Sequence, residues 1–225
     1  MCPIHITESQ SHLIELKQDL LNAVKKISEQ AGQAILSIYQ QGDVEIQTKS
    51  DQSPLTKADL TSHNIIASAL NKLTPEIPIL SEEGEKLEDD IDTFWCVDPL
   101  DGTKEFIKKN GEFTVNIALI ENHQPVLGVI HIPVANETFM ALQGEGAFKI
   151  QNNQTQALIK QTGESHSPSI FAVSRSHLNE KTKTFINFHQ ARTIPAGSSL
   201  KLTLLAEGKA DAYPRFGPTS LWDMA

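Results

Sequence analysis

The stretch CVDPLDGTKEF at residues 96–106 sets Asp98 and Asp101 three positions apart, directly behind an apolar run. Carboxylate oxygens so close together suit a hard divalent cation. Pro99 bars a strand from continuing and Gly102 permits a tight turn, so both acids are predicted at the C-terminal edge of a sheet. The backbone N–H groups of Gly102 and Thr103 open the next turn, where a phosphate can lie on them. Taken singly, Asp-Pro and Asp-Gly are ordinary turn formers. The whole string DPLDGT, behind a buried strand and near a second acidic cluster, points instead to metal-assisted chemistry on a phosphate.

Three further acids bear on the same chemistry. Glu82, with Glu83, ends the extended piece IPIL much as Asp98 ends its strand, whereas the acids from Glu85 to Asp92 read as a solvated loop. Asp59 lies in TKAD, a capping-box pattern, so on its own it reads as a helix-terminus residue. Asp223 follows Trp222 near the end of the chain and means nothing by itself.

The chain has 225 residues, 39% of them apolar and 21% charged, enough for one large domain or two small ones with a sizeable core. A formal net charge of -9 argues against holding a nucleic-acid polymer by bulk electrostatics. An anionic ligand would then need local cations or metal ions. The two cysteines, Cys2 and Cys96, make no disulfide framework, and the N-terminus MCPIHITESQ carries no signal-peptide pattern. No apolar run approaches membrane-spanning length. The expected setting is the cytoplasm, with peripheral association at the cytoplasmic face of the inner membrane left open, as is the oligomeric state.

The positioning elements can be read from periodicity. Apolar residues from Leu13 to Ile38 recur at steps of three and four, which predicts an amphipathic helix over 11–39, with Gly32 as the point where it could break. Val44–Thr48 reads as a short strand, 50–56 as a loop, and 57–73 as a second helix. Ile77–Leu80 and Thr93–Val97 read as strands. Alternation over 113–119, a turn at NHQP, a return over 126–132 and a third strand at 139–142 predict an antiparallel meander, closed by a turn at QGEGAF. Residues 151–168 are polar and read as loop and edge. Beyond them come a strand at SIFAVSRSH, a helix over 179–188, a helix SSLKLTLLAEG with a Ser cap and an end at Gly208, and a short strand at ADAYPRF.

Together, WCVDPLDGTKEF, the terminal WDMA and the upstream LSEEG resemble the motifs of the lithium-sensitive, magnesium-dependent phosphomonoesterase superfamily, in the same order and over essentially the whole chain. That group includes inositol monophosphatases, fructose bisphosphatases and bisphosphate nucleotidases. Within it, DPLDGTKEFIKKNGEFTVNIALI, SRSH, GSSLK and YPRFGPT look most like the bacterial 3'(2'),5'-bisphosphate nucleotidases. The resemblance implies an α/β fold, a layered α-β-α-β-α sandwich of two lobes. An N-terminal lobe (1–150) would hold the carboxylates, and a C-terminal lobe (169–225) the nucleotide, joined by 151–168. It also implies two or three Mg²⁺ ions and removal of the 3'-phosphate of adenosine 3',5'-bisphosphate, giving AMP and phosphate.

Carried over position by position, the resemblance makes Glu82, Asp98, Asp101, Asp223 and the Leu100 carbonyl metal ligands. Asp59 would assist a third metal or its water, and Thr103 with Glu82 would orient the attacking water. The amides of Gly102 and Thr103 would receive the phosphate, and Ser198, Lys201, Arg215 and, more weakly, His177 would hold the nucleotide. In inositol-type relatives the position of Arg215 tends to be acidic and to hold a sugar hydroxyl, so an Arg favours a second phosphate over a polyol. The alternatives are an inositol or sugar phosphatase, or an inactive chain that binds nucleotide. Family chains continue past the WD motif, whereas this one stops two residues beyond Asp223. That predicts a missing end of the second lobe and an Asp223 on a frayed terminus.

Overall fold

In the computed structural model, residues 8–41, 46–48, 54–88, 91–159 and 167–225 are described. The first helix, α1, runs unbroken over Glu8–Gln41. Its inward stripe is Leu21, Val24, Ile27, Ala31 and Ile35, all buried. Gly32 does not break the helix. A Cβ there would meet the His131 ring at 2.5 and 2.8 Å and Pro133 at 3.2 Å, so the missing side chain is what lets the helix approach the sheet this closely. His131 is buried, shares a 2.9 Å hydrogen bond with Thr138 Oγ1, and is pushed down to about 4 by that burial, which keeps the ring neutral. Gly32→Ala should therefore destabilise the fold by about 1–3 kcal/mol through overpacking, although alanine is the better helix former by about 1 kcal/mol. Urea melts of the two proteins check this; an Ala variant as stable as wild type would contradict it.

The rest of the first part follows in chain order. β1 (Ile46–Thr48) and β2 (Pro54–Thr56) form a small antiparallel pair, so part of the predicted loop over 50–56 is strand. Residues 44–45 and 50–53 lie outside the described residues. α2 (Lys57–Leu73) starts on the capping box foreseen in the sequence, with Thr56 as N-cap and Asp59 at the third helical position. β3 (Ile79–Ser81) and β4 (Thr93–Asp101) follow, then the short helix α3 (Thr103–Ile107). The meander comprises β5 (Thr114–Glu121), β6 (Gln124–Ile132), β7 (Glu137–Leu142), β8 (Gly146–Gln151) and β9 (Gln154–Leu158). The predicted turn at QGEGAF is real at its start, but its last residues already belong to β8.

All seven strands from β3 to β9 form one sheet in sequential order. β4 alternates between the two faces. Trp95 and Val97 pack into the main core with α1 and α2, while Phe94 and Cys96 pack on the far side with Leu80, Trp222 and Ala225. Burial on both faces explains why this strand is nearly continuously apolar.

The second part holds β10 (Ile170–Ser174), α4 (Glu180–Phe188), β11 (Arg192–Ala196) and α5 (Leu200–Ala206). β10 and β11 pair in parallel through α4, the connection a parallel pair requires. α4 covers them through Ile186 and Phe185. α5 contacts β10 and β11 and shares a wall of one cavity with β6 and β7, so it lies between the two sheets. The layer sequence is α1/α2, large sheet, α5, small sheet, α4. This is the mixed α/β sandwich expected from the sequence. In this second part the strands differ from the sequence reading at two points. β11 went unread, and ADAYPRF is no strand, with only Ala212 bridging Phe171 before the chain turns away at Pro214. Among the described residues, no helix is long and apolar enough to cross a membrane.

Candidate active site

β3 runs parallel to β4, so both strands end on the same edge of the sheet. Glu82 follows β3 directly, its backbone N–H donating to Val97 O at 3.1 Å. That register sets Glu82 beside Asp98. Pro99 does not end β4. The strand carries on to Asp101, but its pairing with β5 slips between Asp98 and Asp101. A bulge is where a sheet tolerates proline, and it re-aims the side chains on either side. Ser62 Oγ donates to the Pro99 carbonyl at 2.6 Å and the Asp98 carboxylate accepts from Leu100 N at 3.1 Å, so the irregular stretch is held from both sides.

Asp98, Asp101 and Asp223 each offer a carboxylate oxygen, and these atoms lie within 4.8 Å of one another. Burial, followed by the charges of Asp101, Glu82 and Asp223, holds the Asp98 carboxyl well above the usual carboxylate range. Asp223 is raised by burial and by Asp101. The sequence predicts a frayed Asp223; the structure instead shows a 3-10 turn over Leu221–Asp223 in which Asp223 accepts from Ser220 N at 3.1 Å. Carboxylates crowded together in a partly dry site, with Asp98 and Asp223 both held above the usual range, call for a cation. The donors, three carboxylates with Glu82 and the Leu100 carbonyl close by, are all hard oxygens of the kind Mg²⁺ takes, so the residues present fit that ion.

Gly102 adopts a left-handed conformation, φ 93°, as the N-cap of α3, a backbone state that favours glycine. Thr103, the first helical residue, donates its hydroxyl to Asp59 Oδ1 at 3.0 Å. Asp59 in turn accepts from Thr56 N at 2.8 Å and from Thr56 Oγ1 at 2.5 Å. It is thus a helix-terminus residue and the partner of Thr103 at once, and burial raises its carboxyl against those hydrogen bonds.

A cavity of about 400 Å³ opens over this edge. It is lined by Glu82, Asp98, Leu100, Asp101, Gly102, Thr103, His177, Ser198, Lys201, Arg215 and Asp223. Every site residue singled out in the sequence therefore borders one space, except Asp59, which stands behind Thr103. Ser198 is also left-handed, φ 51°. Its hydroxyl and that of Ser199 bond Asp101 Oδ2 at 2.9 and 2.8 Å. The predicted Ser cap of α5 is correct in position only: Ser199 is the N-cap, but its side chain serves Asp101 and makes no cap hydrogen bond. Lys201 is buried, donates to Ser198 O, and faces the Tyr213 ring at 5.3 Å. Burial lowers its pKa. Arg215 donates to Pro218 O at 2.7 Å, while its Nε is buried without a hydrogen-bond partner among the described residues. His177 Nε2 lies 2.9 Å from Lys104 Nζ, and burial and that lysine lower its pKa.

Sequence reasoning missed several supports. Thr114 Oγ1 bonds Ser198 Oγ at 2.6 Å, and Asn116 Nδ2 donates to Ser199 Oγ at 2.9 Å. Buried Glu105 accepts from Ser176, and Glu112 binds Arg175. Their signal was faint. Thr114 and Asn116 are the polar members of an otherwise apolar strand alternation, and Glu105 is an acid among lysines.

The chain is similar to known proteins over most of its length. The model of the inositol monophosphatase family matches residues 16–225. The chain is 42% identical over 211 residues to the 3'(2'),5'-bisphosphate nucleotidase CysQ of Escherichia coli O157:H7, spanning 92% of this chain and 84% of that protein. Its fold superposes on the crystal structure of CysQ from Bacteroides thetaiotaomicron with a TM-score of 0.77 at 40% identity, covering 92% and 83% of the two chains. The Thermotoga maritima IMPase aligns with a TM-score of 0.75 at 26% identity, covering 91% and 79%.

Proposed function

The chain belongs to the inositol monophosphatase family, and we propose that it is a Mg²⁺-dependent 3'(2'),5'-bisphosphate nucleotidase, hydrolysing the 3'-phosphate of adenosine 3',5'-bisphosphate to AMP and phosphate. One observation carries this reading over a polyol phosphatase. The cavity that gathers the carboxylates of Asp98, Asp101 and Asp223 is also lined by two cations, Lys201 and Arg215. A substrate with two phosphates matches both sets, one through metal and one through a guanidinium fork. An inositol phosphate has only the first anionic group to offer.

Two or three Mg²⁺ ions would be held by Glu82, Asp98, Asp101, Asp223 and the Leu100 carbonyl. When bound they neutralise the phosphate, lower the pKa of water and stabilise the leaving oxygen. The remaining work falls to the chain. The Thr103 hydroxyl donates to Asp59 Oδ1 at 3.0 Å, with the Leu100 carbonyl a longer acceptor at 3.4 Å, so its oxygen is left to accept from the attacking water, with Glu82 as the second acceptor. The Gly102 and Thr103 amides receive the phosphoryl oxygens. A bond forms from the water oxygen to phosphorus as the P–O ester bond breaks; the water gives its proton to Glu82, and the departing 3'-oxygen takes up a proton from solvent to leave as the hydroxyl of AMP. Positioning supplies most of the rate in such a transfer, because little charge develops on the protein itself. The two-lobe division, with 151–168 as the joint, belongs to the same reading. It is supported by the large sheet ending at Leu158 and the small one starting at Ile170. Phosphate release from a substrate panel tests the proposal. Adenosine 3',5'-bisphosphate should be turned over faster than inositol 1-phosphate; equal or better turnover of the inositol ester would overturn it.

A further inference from the structure

Glu112 lies in the stretch between α3 and β5 and is not one of the clustered carboxylates, and neither the motifs nor the mechanism above give it a task. Its carboxylate nonetheless makes three hydrogen bonds across a large sequence gap. Arg175 Nε donates to Oε2 and Arg175 Nη2 to Oε1, both at 2.6 Å. The Gly197 N–H donates to Oε2 at 2.8 Å. Arg175 also donates to Pro195 O at 2.9 Å. One acid thus grips the exit of β10, through Arg175, and the exit of β11, through Gly197. The next two residues after Gly197 are Ser198 and Ser199, whose hydroxyls hold Asp101 Oδ2.

We infer that Glu112 is a positioning residue for the metal site. By fixing the Gly197 N–H it sets the 197–199 turn, and through the two serine hydroxyls it sets the orientation of the Asp101 carboxylate. A bidentate Arg–carboxylate pair supplies the directional stiffness this needs, which a lone exposed ion pair would lack. The hydroxyl donors matter because a ligating carboxylate whose second oxygen is hydrogen-bonded presents the first in one direction only. The inference rests on the metal-site reading above, since it concerns how well Asp101 is aimed at a cation.

The test uses Mg²⁺ alone, titrated into the metal-free protein by calorimetry and by the rise in melting temperature, so that no substrate is involved. Glu112→Gln should weaken Mg²⁺ binding about tenfold, the lower end of the loss typical when a hydrogen-bonding support of a metal ligand is removed. The effect must pass through the serines. In a cycle with Ser199→Ala, the two losses should be less than additive, because both changes loosen the same serine support of Asp101, of which the Ser198 hydroxyl is the other half. The charge swap Glu112→Arg with Arg175→Glu separates aiming from mere docking of the two parts. It should recover, through the restored ion pair, part of the metal-free melting temperature lost in Glu112→Gln but none of the Mg²⁺ affinity, since an arginine at 112 cannot accept from the Gly197 N–H and a glutamate at 175 cannot donate to Pro195 O. Additive losses, or unchanged Mg²⁺ affinity in Glu112→Gln, overturn the inference. Wild-type protein that binds no Mg²⁺ would instead overturn the metal-site reading beneath it.

Discussion

Asp98→Asn should lower turnover of adenosine 3',5'-bisphosphate on the order of a thousandfold or more, about 4 kcal/mol of transition-state stabilisation, while leaving the fold intact. The amide cannot supply the negative charge that would hold a divalent ion beside Asp101 and Asp223. In EDTA the same substitution should stabilise the protein. Burial and the neighbouring acids hold the Asp98 carboxyl well above its usual range, so the metal-free folded state binds that proton more tightly than the unfolded chain does. A raised folded-state pKa gives stability that is full below the unfolded value of about 4 and is lost as pH rises through the folded value. At pH 8 and without metal, the wild type therefore carries the full penalty of ionising Asp98, and Asp98→Asn melts higher. The gap narrows as pH falls toward 4. With Mg²⁺ the order reverses, because only the wild type gains the binding energy. Phosphate-release assays and thermal melts at several pH values read both effects. Wild-type activity in the variant, or a variant less stable than wild type in EDTA at pH 8, would contradict the account.

Arg215→Ala should cost the bisphosphate substrate about 3 kcal/mol, roughly a hundredfold in kcat/KM, while adenosine 3'-monophosphate loses only a few-fold. Arg215 is held by Pro218 O and lies 3.4 Å from the Tyr213 hydroxyl, and its buried Nε still lacks a partner among the described residues. Lys201 borders the same cavity and is partly desolvated, which strengthens its pull on an anion. A loss shared equally by the two substrates would mean that Arg215 shapes the cavity generally and does not read a second phosphate.

These two residues also show what could be read without coordinates. The clustering of Asp98 with other acids at the sheet edge was legible because an apolar strand running into DPLDGT has few structural uses for two acids. The helical pattern of α1 and the alternation of β5 were legible for the same reason: burial on one stripe or face leaves a period in the sequence. Gly32 was misread because its reason lies in His131, 99 positions along the chain. β11 was missed because it is a mostly exposed strand carrying Arg192 and Pro195, and its pairing with β10 outweighs weak propensity. ADAYPRF has strand-like composition, but after Ala212 it leaves the sheet and carries Tyr213 and Arg215 into the cavity wall. Pro99 looked like a strand end and instead occupies a bulge. Glu112, Thr114 and Asn116 could not be assigned, because each acquires its role from a partner more than sixty residues away.

The most direct measurement is a crystal of the protein with Mn²⁺, a hard ion of similar coordination that can be located by its anomalous scattering, and adenosine 3',5'-bisphosphate. The account predicts an anomalous peak between the oxygens of Asp98, Asp101 and Asp223, with one phosphate against it over the Gly102–Thr103 amides and the other beside Arg215. An ion bound elsewhere, with those three carboxylates turned apart around the nucleotide, would contradict it.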